Sequence, residues 1–469
     1  MNYKEFYVDP SGSNQNGGST SAAAAIYTSA DTSVILGDLV TIVDNTGNNW
    51  TGVSVDDYVA FNPSGTTYEY RRITAVAPGG DATKITVHAN CTVAANRQSK
   101  VGGAWLTMQV AAAAVTTLFT DTNSYPPRVN IKGGSDYSAD TAMIPNNAST
   151  TVPITFEGYT TTIGDGGMAN FFTTTNNLPV NISGTKQYLV FKNIYFKTTV
   201  SSANFALIYS NAGGLYNKWI NCKFERTANT ASLFDTAQYQ TFISCHFVWG
   251  SSNNGVAGYY SNTFLGCYFY GSNSTGSGIL CRSSYVSHCI FVGNGTRVGY
   301  GVNLSQNYDG KSVDHCTFYN LARGINFRYF NINITNNIFS SCNYGIYSTD
   351  VVTVGGWRNA FYASNTADTL NVVDRVDPTN IALSADPFTN AAGNDFSLNN
   401  TASGGADCRA AGFPGAMQTG GTGYPDVGAL QHQPQFPAIT DVKSGVTYDD
   451  GNYTGTYSAS GEHSYISIG

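Results

Sequence analysis

The feature that most restricts what this chain can become is a repeat. The segments WINCKF (219–224), FISCHF (242–247), FLGCYF (264–269), VSHCIF (286–291) and VDHCTF (313–318) align without gaps, with FKNIYF (191–196) before them and ITNNIF (334–339) and GWRNAF (356–361) after. Their closing aromatics form a column, Phe196, Phe224, Phe247, Phe269, Phe291, Phe318, Phe339 and Phe361, mostly 21 to 23 residues apart with two longer steps of 27 and 28. A second register runs through GVAG, GILC, GVNL, GINF and GIYS. Its apolar members Leu207, Leu233, Val256, Ile279, Val302, Ile325 and Ile346 have four central steps of 23. Two columns sharing one period, built of short apolar and aromatic segments broken by Gly and Asn, predict a parallel β-solenoid in which each coil pairs only with its neighbours.

Within a copy, Cys222, Cys245, Cys267, Cys289 or Cys316 and the Phe two residues later face inward, and the residue between them faces out. The apolar residue three before each Cys is also a core candidate, so the alternation slips by one and a bend must intervene. The residue just before the Cys, or before its equivalent, is Asn193, Asn221, Ser244, Gly266, His288, His315 or Asn336, and several of these types are enriched at positive φ. The Asp-His-Cys of DHCTF, which alone suggests a metal site or a nucleophile with its base, therefore reads as a bend residue beside a small buried hydrophobe. Stacked rungs set equivalent side chains parallel and about 4.8 Å apart, so the cysteines neither converge on an ion nor point at one another for disulfides. No metal and no cofactor is expected.

Composition agrees with many short strands and turns: 11% of residues are charged, while Gly numbers 50, Tyr 31 and Phe 25, which favours pleated surfaces and bends over long helices. A net charge of -7 without a basic run argues against nucleic acid as a partner. No stretch approaches the roughly 18 consecutive apolar residues of a membrane span. The opening MNYKEFYVDPSGSNQNGG has neither a basic n-region nor an apolar h-region, so no signal peptide is expected.

Four regions follow: a lead-in strand and cap (1–27), a small β-domain (28–98), the solenoid (99–432) and a strand-like tail (433–469). Trp105, Met108, Ala112, Val115 and Phe119 recur at helical spacing and predict a helix that covers the open first rung. LVTIVD, DDYVAF, YEYRRITAV and TKITVHA predict four or five strands in the small domain. Twelve or so coils between 150 and 432 would make a rod of roughly 55 to 60 Å.

The opening FYVDPSGSNQNGG, the rung pattern NCKF, GVAG, GINF, the DPF and NDFSL pair and the closing DVGALQ resemble right-handed parallel β-helix repeat proteins of the pectate-lyase-like superfamily, over residues 1–20 and about 100–432. SGVTYDDGNYTGTY near the end resembles a short module of bacteriophage and prophage proteins. The resemblance implies an all-β, right-handed parallel β-helix. It implies no single activity, since the superfamily includes lyases, glycosidases, adhesins and phage tail spikes. Its lyases use clustered carboxylates for calcium with a basic residue, and its glycosidases two or three Asp. Residues 165–350 offer six acids here, Asp165, Glu225, Asp235, Asp309, Asp314 and Asp350, and none is the paired Asp of the polygalacturonase-like members. The Asp56-Asp57 and Asp449-Asp450 pairs fall outside the solenoid. The catalytic candidates reduce to Asp314 beside stacked His288 and His315, with Arg282 or Arg328 near, as acid and base.

The outward positions beside the Phe column are Lys223, His246, Tyr268, Ile290, Thr317 and Ile338, then Val248, Tyr270, Val292 and Tyr319 one step on. An apolar stripe of this kind is rarely left bare by a monomer. Three occupants are open: a subunit interface such as a trimer axis, a covering loop, or a glycan stacked on the rings. The expected role is a bacteriophage virion structural or host-attachment protein, a fibre, spike or capsid-decorating rod on an extracellular particle, whose partners are other virion proteins, its own copies and host-surface glycans. The alternatives are a polysaccharide lyase or glycoside hydrolase acting as a tail-spike depolymerase, and a bacterial surface adhesin or filament subunit.

Overall fold

The structure, a computed structural model, describes most of residues 4–412 apart from several stretches of which 139–151 is the longest, together with 426–431 and the pairs 447–448 and 453–454. Each coil supplies three short strands. In one coil they are Lys218–Ile220, Lys223–Arg226 and Phe234–Gln238, after which Thr241–Ile243 opens the next coil. Equivalent strands pair in parallel, forming a first, a second and a third sheet, so the fold is an all-β parallel solenoid. The second sheet has 11 strands, from Asp136–Ser138 to Ile381–Ala382, which at about 4.8 Å per step makes a rod of roughly 48 Å.

The Phe column is the spine of the second sheet. Phe196, Phe224, Phe247, Phe269, Phe291, Phe318, Phe339 and Phe361 are register partners in succession. Their rings stack at centroid spacings of 4.6 to 5.4 Å and within 15° of parallel. All are buried, and removing each ring from water contributes about 1.5–3 kcal/mol. Phe191, Trp219, Phe242, Phe264, Val286, Val313 and Ile334 form the inward column of the first sheet. The third sheet's paired column runs through Ile208, Phe234, Val256, Ile279, Val302, Ile325 and Ile346. Leu207 and Leu233 are buried too, but they stand one residue ahead of that register, filling the corner before the strand begins.

The corner between first and second sheets takes one residue in the left-handed region: Asn193, Asn221, Ser244, Gly266, His288, His315 and Asn336 have φ of 48 to 60°. The Cys that follows five of these corners is small enough to sit inside, and four of the five donate the thiol to a carbonyl of the preceding coil, as Cys222 does to Phe191 O at 3.4 Å and Cys245 to Trp219 O at 3.2 Å. The glycine that opens each third strand has a packing reason. A Cβ at Gly301 would lie 2.5 Å from Phe318 Cδ1 and 2.7 Å from the Gly324 carbonyl.

The N-terminal end is closed. Lys4–Val8 pairs with Pro127–Lys132 as the first rung, and the helix Met108–Phe119 packs on it, burying Met108, Ala111, Ala112 and Val115, with Trp105 just ahead of it buried as well. Its other side meets Glu69–Val76 of the small domain. That domain is a seven-stranded antiparallel sheet. The three strands beyond the four read from sequence, Tyr27–Thr28, Ser33–Ile35 and Ser99–Val101, have two or three residues each, too few to show a period.

The C-terminal end corrects the expected boundary at 432. The parallel coils stop at Ile381–Ala382. Residues 383–412 and 426–431 fold back over the outside as an antiparallel pair, Phe388–Asn390 with Asp395–Leu398, a helical turn, Gly405–Cys408, and a returning segment. DPF and NDFSL mimic a rung in composition but lack its three-strand spacing. In the tail Thr447–Tyr448 pairs with Tyr453–Thr454; the remainder of 433–469 lies outside the described residues. No helix among the described residues is long and apolar enough to cross a membrane.

Candidate functional site

The first sheet ends each coil on an outward residue followed by the left-handed corner, and two successive coils place Ser287-His288 above Asp314-His315. The imidazoles stack at 4.9 Å and 4° from parallel. Asp314 Oδ2 accepts from Ser287 Oγ at 3.0 Å and from His315 Nδ1 at 3.0 Å, and the Ser287 hydroxyl also meets His288 Nδ1 at 2.8 Å. Asn336, the corner residue one coil on, donates its amide to His315 Nε2 at 3.1 Å. This assignment makes His315 a neutral ring with its proton on Nδ1. Asp314 Oδ1 is buried without a hydrogen-bond partner. Burial, then the neighbouring His315, push the His288 imidazole below its ordinary value against the opposing pull of Asp314.

His288, Asp314 and His315 offer ligand atoms within 4.8 Å of one another, but proximity is not convergence. Two imidazoles on one zinc ion hold their nitrogens no more than about 4.2 Å apart and aim them at a shared point. Here the rings lie side by side with nitrogens directed alike, the shape of a ladder. As an acid and base pair the group is also inward-looking, since His315 and Asp314 spend their hydrogen bonds on each other, on Ser287 and on Asn336. Of the basic residues expected nearby, Arg328 pairs with Asp350 at 3.5 Å and Arg282 lies outside the described residues. Asp309 lies outside the described residues, while Asp165, Glu225 and Asp56 have local roles. Asp165 caps a turn through the backbone N–H groups of Thr160, Thr161, Thr162 and Gly167, which hold its carboxyl far below the usual carboxylate range. Glu225 takes Tyr195 and Lys223 at 2.6 and 2.8 Å. Asp56 pairs with Arg72 at 2.8 Å.

The cysteines are equally unsuited to chemistry: all nine are free thiols and buried. Burial pushes the Cys342 thiol up to about 12, so at neutral pH it is a packed hydrophobe.

The outward stripe meets the folded-back segment. Val292 and Ile338 are buried in a cluster with Leu383, Phe388, Phe396, Leu398 and Val427, and Tyr268, Tyr270, Ile290 and Tyr319 pack against it. Tyr319 meets Phe396 edge-on at 5.5 Å. Gly428 N donates to Asn336 O at 2.7 Å and Ala429 N to Thr317 Oγ1 at 3.1 Å. The covering element is thus the chain's own, and this corrects Val292 as an interface or glycan contact, because it is 4% exposed. Val248, at the uncovered end of the column, is half-buried.

A different group stands on the third sheet, outside the residues singled out from sequence. The Arg323 guanidinium lies 3.5 Å from the Tyr347 ring centre and 4.9 Å from that of Tyr300. It donates to Asn326 Oδ1 at 2.8 Å, and Asn326 in turn donates to Asn303 Oδ1 at 2.8 Å. A signal for it exists: Tyr300, Arg323 and Tyr344 each precede the glycine of GVNL, GINF and GIYS, an outward column as regular as the inward one.

No protein-family model matches the chain, and no curated protein matches it. Among solved structures the chain is similar to the pectin methylesterase from Aspergillus niger in its deglycosylated form, at 12% identity and a TM-score of 0.38, covering 59% of this chain and 88% of that one. The penultimately deglycosylated form of that esterase gives 11% identity and a TM-score of 0.36 over the same shares. These likenesses are too distant to bear on the chemistry of this chain.

Proposed function

We propose that this chain is a rigid structural or host-attachment rod of a bacteriophage particle. The observation that carries the reading is the continuous core: eight stacked Phe rings run through eight successive strands of the eleven in the second sheet, one end is closed by a helix and the other is wrapped by the chain's own segment. Such a body resists bending and unfolding because every coil is pinned by its neighbours. Three things add support. The chain is low in charge, at 11% of residues, and rich in Tyr, Asn, Ser and Thr. In the His-Asp cluster both His315 nitrogens and Asp314 Oδ2 are held by neighbouring side chains, and the C-terminal segment resembles phage modules. Contacts with other virion proteins and self-association, a trimer among the forms, belong to this proposal, as does engagement of host-surface glycans.

The test has two arms. Purified protein is measured for adsorption to bacterial cells and sought by mass spectrometry in purified phage particles; presence in particles or saturable adsorption is the expected result. The same protein is incubated with capsular and cell-wall glycans, and their depolymerisation would replace this reading with that of a tail-spike enzyme.

A further inference from the structure

Arg323 is held in a way that a structural arginine does not require. Its strand, Arg323–Phe327, puts Gly324 and Ile325 inward in succession, so the alternation slips and Arg323 and Asn326 share the outer side. Register pairs Tyr300 with Arg323 and Arg323 with Tyr344, and pairs Asn303, Asn326 and Tyr347. The guanidinium is thereby clamped between rings supplied by the coil before and the coil after, with one hydrogen bond, to Asn326. Arg71, Arg72, Arg128 and Arg328 each sit against a carboxylate; among the described residues the Arg323 guanidinium has none, as is also true of Arg297 and Arg358, but Arg323 alone of these three is held between two tyrosine rings. Four of its five N–H donors are left to a partly exposed face, and Tyr344 stands edge-on to Tyr347 at 5.2 Å beside it.

We propose that this group binds a carboxylate-bearing saccharide of the bacterial envelope. A guanidinium fork matches a planar carboxylate in two parallel hydrogen bonds, in the plane of the three Arg323 nitrogens. The tyrosine edges and the Asn303 amide supply what a pyranose ring and its hydroxyls use. Clamping between coils fixes the fork before the ligand arrives, so little side-chain ordering opposes binding. The inference rests on the attachment reading and specifies its ligand.

The experiment titrates the full chain by calorimetry with glucuronate-containing and sialylated oligosaccharides, and with the same sugars after reduction of the carboxyl to an alcohol. Binding of an acidic sugar is expected, weakened at least tenfold by carboxyl reduction and by Arg323→Met, with Arg323→Lys between. Tyr344→Ala, which leaves the fork intact, should weaken it severalfold, and both variants should keep the wild-type melting temperature within a few degrees. Equal affinity for acidic and reduced sugars, unchanged affinity in Arg323→Met, or no binding of any acidic sugar overturns the site. Failure of the attachment reading is separate, since it shows as no adsorption of the wild-type protein to cells whatever the calorimetry gives.

Discussion

The two ends of the second sheet solve the same problem in opposite ways. Near its start the outward columns carry Tyr195, Lys197, Lys223 and Glu225, which satisfy one another in water: Lys223 pairs with Glu225 at 2.8 Å, the Tyr195 hydroxyl reaches Glu225 at 2.6 Å, and the Lys223 ammonium lies 4.4 Å from the Tyr195 ring centre. From Tyr268 onward the same columns turn to Tyr270, Ile290, Val292, Tyr319 and Ile338, and residues 383–412 and 426–431 lie over them. Backbone and inward column are alike in both halves. The difference teaches that in a solenoid the outward residues alone record whether a face meets water or protein, because the coil fixes everything else.

The comparison breaks most severely if the halves do not share one core. Phe224→Ala and Phe318→Ala, one from each half, should each cost about 3–5 kcal/mol, measured by chemical denaturation. A large loss at one and none at the other would mean the column is not continuous. Next is the cover. Phe396 is buried against Phe388 and Tyr319, and Phe396→Ala should cost about 3 kcal/mol, appearing as dye binding to the newly bared stripe while the first half keeps its hydrogen-exchange protection. A smaller loss of about 1–3 kcal/mol is expected of Gly301→Ala from overpacking against Phe318; no loss would show the glycine column to be incidental.

The smallest effect belongs to the wet half. Burial pushes the Glu225 carboxyl up, but its hydrogen bonds with Lys223 and Tyr195 outweigh that and leave it below its ordinary value. A lowered carboxyl stabilises the fold fully above the unfolded carboxylate value and ceases to do so as pH falls through the lowered one. Glu225→Gln should therefore cost no more than about 1 kcal/mol at neutral pH and flatten the acid limb of the stability curve as pH falls through and below the ordinary carboxylate range.

The coil was legible because its constraints are strict. A Phe every two dozen residues, a glycine where a Cβ would strike that Phe, and a residue tolerant of positive φ before each Cys can each be read from letters alone. The candidate site was only half legible. That His315 is a corner residue follows from its place in the alignment, whereas its bond to Asn336 and the bond from Ser287 to Asp314 join residues one coil apart, and register had to be known first. The covering segment was hidden for a different reason: Phe388 and Phe396 sit in a short antiparallel pair, and Val427 in a returning segment, whose composition imitates a rung. Arg323 was overlooked because two consecutive inward residues, Gly324 and Ile325, break the alternation that assigns residues to a face.

Thiol labelling tests the contrast between the halves most directly, since all nine native cysteines are buried and give a silent background. Val248 and Val292 stand two coils apart in one outward column. The account predicts that Val248→Cys reacts promptly with a bulky maleimide in the native protein, while Val292→Cys resists until Phe396→Ala loosens the cover. Equal labelling of both in the otherwise wild-type chain would contradict it.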